Sequence, residues 1–230
     1  MFMNDLKKQF IEFTLEHQIL RFGNFSLNSG RESPYFFNTG LCNTGKLLVS
    51  LADFYSSFLV KNSIDYDFIF GPAYKGITLA TSISNSLYNS HSTNKPFCFN
   101  RKEAKTHGEA GIFVGSAPKG RALIVDDVIS SGKSIIESID LLSVNGAIPS
   151  SIVVAFDRME LGIDKRASIE ISEKYKIQVY SIITLDDIID FLKNRISFIN
   201  MNKSIFRIYT IIIFFEWYFY KRNIIYRYII

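Results

Sequence analysis

Cysteine is nearly missing. Cys42 and Cys98 are the two in 230 residues, and their separation matches no metal-binding spacing. A buried, reduced pair in a cytoplasmic protein is expected. A surplus of charge is also lacking over most of the chain. Residues 1–195 carry 21 Lys+Arg and 21 Asp+Glu. The whole formal charge of +4 therefore comes from residues 196–230, where Lys203, Arg207, Lys221, Arg222 and Arg227 face Glu216. A neutral body has no field with which to gather a polyanion non-specifically, so nucleic acid is not expected as a partner. The opening MFMNDLKKQF has no long apolar run after its basic residues, so no secretory leader is expected. There is no internal repeat.

What is present reads as globular: 47% apolar and 21% charged residues. The length suits one domain with a substantial core, with or without an appendage. Leu6, Phe10, Phe13 and Leu20 recur at helical spacing, and Gly45 to Lys61 reads as a second helix. A repeating order of short apolar run, small-residue turn and helix follows. DFIFG (67–71), ALIVDD (122–127), SIVVAF (151–156) and IQVYSI (177–182) are strand candidates, each next to a helical stretch. Alternating strands and helices predict an α/β fold, a mostly parallel sheet flanked by helices. The segment 101–120, RKEAKTHGEAGIFVGSAPKG, breaks this order and is read as a polar loop. Arg101, Lys102, Lys105 and His107 place four potential anion donors in seven of its residues.

ALIVDDVISSGKS, 122–134, ends in the letters of a nucleotide-binding P-loop, but the glycine that loop requires five residues before Gly132 is Asp127. What remains is still a phosphate site. The strand is expected to end at Val125, a hydroxyl-rich turn follows, and a helix starts near Ser134. Its amides, with the hydroxyls of Ser130, Ser131 and Ser134, can cradle one phosphate monoester. The adjacent carboxylates Asp126 and Asp127 can accept hydrogen bonds from vicinal sugar hydroxyls and reach a divalent cation. Together these describe a phosphorylated sugar. Taken alone, the turn is equally compatible with a capped helix behind two solvated acids.

The same thirteen residues resemble the phosphoribosyl-diphosphate signature of the type I phosphoribosyltransferases. FGNFSLNSGRESPYFFNTG, FGPAYKGI, FNRKEAKTHGEAG and FDRMELG resemble, in order, segments of the orotate phosphoribosyltransferases. The resemblance spans about residues 5–193. It implies the type I phosphoribosyltransferase fold, with a small N-terminal hood and a mobile active-site loop. It also implies Mg²⁺-dependent transfer of ribose 5-phosphate from phosphoribosyl diphosphate to orotate. Asp126 and Asp127 would hold the ribose and lie near a Mg²⁺ held mainly by the substrate. Val128, Ile129, Ser130, Ser131, Gly132, Lys133 and Ser134 would wrap the 5-phosphate, and Tyr74 and Lys75 would contact the diphosphate. Arg101, Lys102, Lys105 and His107 would close over the diphosphate of a neighbouring subunit, which implies a homodimer joined through the 101–111 loop. Lys105, with His107 and Asp127, is implied as catalytic, and Glu109 as a support for loop closure. Arg158 would contact the carboxylate of orotate, Phe36 and Phe37 the pyrimidine, and Ser130 would lie near the base.

Two departures stand out. The lysine usual before SGR is Asn28 here, which removes one cation from the site. Residues 196–230 hold eleven isoleucines and eleven aromatic residues and resemble nothing in the family. Their charges interrupt every window long enough for a membrane span, so a frameshifted or read-through tail is expected behind a catalytic body of residues 1–195. A non-catalytic sensor of phosphoribosyl diphosphate would need neither Arg158 nor the cationic loop, and a membrane-associated ATPase fails on Asp127.

Overall fold

The two most apolar strand candidates form the middle of a sheet. The computed structural model describes residues 5–26, 32–105 and 111–199, in two units: residues 42–184, and residues 1–41 with 185–230. In the larger unit, α2 (Gly45–Lys61) is followed by β3 (Phe68–Gly71), α3 (Lys75–His91), β4 (Phe97–Lys105) and β5 (Gly111–Gly115). Then come β6 (Gly120–Ile129), α4 (Lys133–Val144), β7 (Ala147–Asp157), α5 (Ala167–Tyr175) and β8 (Gln178–Thr184). The strand order is β5-β4-β3-β6-β7-β8. Neighbours run parallel except β4 and β5.

Ala122–Val125 and Ile152–Phe156 are wholly buried without alternation, as parallel strands covered on both faces require. On one face Ile124, Ile152 and Val154 pack with Ile135, Ile139 and Leu142 of α4 and Ala167 and Ile171 of α5. The other face belongs to α2 and α3, which pack together and bury Leu51, Tyr55, Leu59, Leu79, Ala80 and Ile83. Right-handed crossovers put the helices there, because β3 leads outward to β4 while β6 leads outward to β7 in the opposite direction. The carboxyl ends of β3 and β6 therefore flank the reversal point of the sheet, where ligands of open α/β folds bind.

Two sequence expectations are corrected. Strand β6 does not end at Val125 but continues to Ile129, with Asp126 opposite Val154, Val128 opposite Phe156 and Ile129 opposite Asp157. The acids stay extended because β7 runs just as far beside them. The segment read as a polar loop from residue 101 is largely paired: β4 reaches Lys105 and β5 returns from Gly111, with Asn100 opposite Phe113. Its polarity is that of an edge hairpin with one solvent face.

The smaller unit contains α1 (Asp5–Glu16), an antiparallel pair of β1 (Leu20–Ser26) and β2 (Glu32–Phe37), a 3₁₀ turn at Thr39–Leu41, and α6 (Leu185–Ile199). Helices α1 and α6 meet, and Lys7 donates to both carboxylate oxygens of Asp187 at 2.9 and 2.8 Å. Helix α6 passes the expected body boundary at 195, while 200–230 lie outside the described residues. No helix among the described residues is long and apolar enough to cross a membrane.

Candidate active site

The turn after β3, GPAYKG, closes on itself through two glycines. A Cβ on Gly71 would lie 1.9 Å from the Gly76 carbonyl oxygen, and one on Gly76 would lie 2.6 Å from the Gly71 carbonyl carbon. The Gly76 amide donates to the Pro72 carbonyl at 2.9 Å. From β4, Asn100 Oδ1 accepts the Ala73 amide at 2.9 Å and holds the turn from the side. Tyr74 is 72% exposed, and the Lys102 ammonium lies 5.7 Å from its ring centroid. Lys75 opens α3 and donates to Asp127 Oδ2 at 2.7 Å.

Consecutive strand residues point to opposite faces, and the two acids do so. Asp127 meets Lys75 at the start of α3. Asp126 Oδ2 accepts from Ser134 Oγ at 3.2 Å, at the start of α4, and its Oδ1 accepts the Asp127 amide at 2.8 Å. Only 8% of Asp126 and 7% of Asp127 is exposed. Burial, and then the neighbouring Asp127 charge, push the Asp126 carboxyl up to about 7. Tyr55, wholly buried on α2, donates its hydroxyl to the Asp126 carbonyl at 2.7 Å.

Beyond the acids, Val128, Ser130–Ser134 and Glu137 line a cavity of about 360 Å³. Gly132 caps α4 with φ +77°, a left-handed conformation that favours glycine, and a Cβ there would lie 2.5 Å from Ile171 Cδ1 and push that side chain aside. A helix N-terminus with hydroxyls around it is a ready anion site. Ile129 turns its side chain into the core, and its carbonyl accepts the Arg158 amide at 3.1 Å.

Arg158 follows β7 and is 8% exposed. Its Nε donates to Glu160 Oε1 at 2.6 Å. The Glu160 carbonyl takes the Ala167 amide at 3.0 Å, tying this loop to α5. Asp157 Oδ1 accepts the Met159 amide at 2.7 Å and shapes the bend between them. A buried guanidinium fixed through Nε is a carboxylate-reading arrangement.

A family model for the phosphoribosyl transferase domain matches residues 44–194. The orotate phosphoribosyltransferase of Aliivibrio fischeri is 48% identical over 194 residues, covering 84% of this chain and 91% of that one. The one from Hahella chejuensis is 47% identical over 204 residues, covering 88% and 95%. The chain belongs to the orotate phosphoribosyltransferase family. The crystal structure of the orotate phosphoribosyltransferase of Francisella tularensis superposes with a TM-score of 0.76 at 38% identity, covering 93% of this chain and 98% of that one.

For a member of the orotate phosphoribosyltransferase family, the structure brings together Lys75, Asp126, Asp127 and the Val128–Ser134 turn, with Tyr74 and Lys102 meeting at one side. Arg101 is engaged across its hairpin, donating to the carbonyls of Gly111 and Phe113 at 3.1 and 3.3 Å. Asn28, His107 and Glu109 lie outside the described residues, and Lys105 is placed only as the end of β4. On β2, the Phe36 ring stacks on Phe25 at 5.5 Å beneath Arg21, while Phe37 is buried. Both residues are thus engaged within their own unit, with Arg21 paired to Phe36 and Leu20 to Phe37 along β1 and β2. Sequence reasoning missed Tyr55, Asn100 and Glu160. Glu160 alone carried a local signal, an acid two residues from an arginine.

Among the described residues no three His, Cys, Asp or Glu side chains gather into a metal cage. The two carboxylates leave β6 on opposite faces, so they fit a Mg²⁺ that takes most of its ligands from water and substrate oxygens, the usual habit of that ion, with a carboxylate nearby.

Proposed function

We propose that the protein transfers ribose 5-phosphate from 5-phospho-α-D-ribose 1-diphosphate to orotate, as a pentosyltransferase of pyrimidine nucleotide synthesis. The observation that carries this reading is the Asp126–Asp127 pair at the reversal point of the sheet, between Lys75 at the start of α3 and the serine-lined cavity at the start of α4. In the reaction the C1–oxygen bond breaks with its electron pair on diphosphate. The pyrimidine nitrogen bonds to C1 and gives up its proton. A reaction of this type needs charge stabilisation and alignment more than a covalent partner.

In this reading the turn Val128–Ser134 holds the 5-phosphate, and Asp126 and Asp127 accept the ribose hydroxyls. Their charge also favours the cationic character that develops on the ring. Tyr74 and Lys75 receive the diphosphate end. Mg²⁺ held mainly by the substrate diphosphate and ribose would offset the charge of the departing diphosphate, with Asp126 and Asp127 nearby. Arg101, Lys102, Lys105 and His107 act as leaving-group stabilisers, with Lys105 foremost. Arg158, oriented by Glu160, reads the orotate carboxylate, with Phe36, Phe37 and Ser130 at the base. A homodimer whose 101–111 loops serve neighbouring sites, a cytoplasmic location, and a catalytic body of residues 1–195 with a dispensable tail complete the proposal.

The test is orotate consumption with phosphoribosyl diphosphate and Mg²⁺, beside uracil and hypoxanthine. Formation of orotidine 5′-phosphate at a rate far above that of either competing base supports the proposal. Transfer to uracil in preference to orotate refutes the role given to Arg158.

A further inference from the structure

The two acids present a geometric difficulty. They are consecutive on an extended strand, so their side chains leave on opposite faces, yet the proposed function asks both to serve one ribose. Something must fix the peptide between them. Tyr55 reaches that peptide from α2. Its hydroxyl donates to the Asp126 carbonyl at 2.7 Å, with the Ala155 backbone beside the same phenol oxygen. Asp126 lies opposite Val154 in the β6–β7 pairing, and Ala155 is the next residue along β7. The hydroxyl is therefore inserted at the β6–β7 ladder where the acid pair begins. Burial, followed by the charges of Asp127 and Asp126, holds the phenol well above its ordinary pKa, so it stays a neutral donor.

We propose that Tyr55 is a positioning residue for phosphoribosyl diphosphate binding: its hydroxyl, bridging β6 and β7, sets the orientation of the Asp126–Asp127 peptide and so the angle between the two carboxylates. Without it, the Asp126 carbonyl and the Ala155 amide face each other directly, and the strand end relaxes toward a regular ladder with the acids splayed. The inference rests on the proposed function for the identity of the ligand. It makes no demand on the base, which is read elsewhere.

The test is Tyr55→Phe in the full chain, which keeps the ring and its packing. Phosphoribosyl diphosphate binding with Mg²⁺ is measured by calorimetry without orotate, and steady-state kinetics are measured separately for each substrate. The donor Kd and KM are expected to rise about tenfold, the size of one lost hydrogen bond, with the orotate KM within about twofold of its starting value. In an Asp126→Asn background the same substitution should change donor Kd by less than about twofold, because interacting sites are non-additive. A lower melting temperature with unchanged donor Kd overturns the proposal. So does an equal effect in both backgrounds, or a variant too unstable to purify, since each makes the hydroxyl a fold contact only. Wild-type protein that binds the donor but makes no orotidine 5′-phosphate would sink the proposed function instead, while the Kd comparison would still judge Tyr55.

Discussion

Asp126→Asn should make the protein more stable and nearly inactive, with a stability gain that depends on pH in a defined direction. The wild-type carboxyl is held protonated up to about 7, against 3.8 for an ordinary aspartate, by burial and by the Asp127 charge. The folded state therefore keeps a proton that the unfolded state releases. The favourable contribution is complete below about pH 4 and is lost as pH rises toward 7, at a cost of about 4 kcal/mol once the group is ionised. Asparagine is neutral throughout and can keep both contacts. Its amide oxygen can accept the Asp127 N–H, and its NH₂ can donate to Ser134 Oγ, the partners the carboxylate has now. Scanning calorimetry of both proteins between pH 4 and 8 should show little difference at the acid end. At pH 8 the variant should melt roughly 8–16 °C higher. Its kcat/KM for the donor should fall about 100-fold or more at the same pH, since a neutral amide gives no charge to the developing cation. A stability gap that is constant with pH, or that shrinks as pH rises, would refute the reasoning.

Three further outcomes can be checked. Gly71→Ala forces a Cβ to within 1.9 Å of the Gly76 oxygen, so the turn must open; a loss of about 3 kcal/mol or more in denaturant melts is expected, with a raised donor KM. Arg158→Lys keeps the charge but loses the fork and the Nε contact to Glu160, and should raise orotate KM by about 10- to 100-fold while leaving donor Kd unchanged in calorimetry. Asn28→Lys restores the cation usual in the family and should raise kcat/KM by about 10-fold or more, the worth of a hydrogen bond to a charged group.

The sequence made the centre of the fold legible and left its edges obscure, for physical reasons. Strands β6 and β7 are buried on both faces, so their unbroken apolar runs announce them. Helix α2 has both predicted ends, with Thr44 Oγ1 accepting the Leu47 amide at its start. The β4–β5 hairpin looked like a loop because an edge strand carries polar residues on its outer side. The extension of β6 through two aspartates ran against strand propensity and depends on β7, Ser134 and Lys75, none of them adjacent in sequence. At the site, the ligand-facing residues formed motifs, whereas the residues that orient them did not. Tyr55 is 71 positions from the carbonyl it holds, and Asn100 is 27 positions from the amide it accepts. Contacts of that separation leave no local pattern to read.

The opposite outlook of Asp126 and Asp127 makes β6 the ruler of the site. The groups at the start of α3 and those at the start of α4 are carried by different layers of the fold, and the spacing between them is counted out by a single strand step, about 3.3 Å. Inserting one residue into β6 before Asp126 would exchange the faces of the two acids, turning Asp126 toward Lys75 and Asp127 toward Ser134. The chemistry would keep every residue type it needs and lose its handedness.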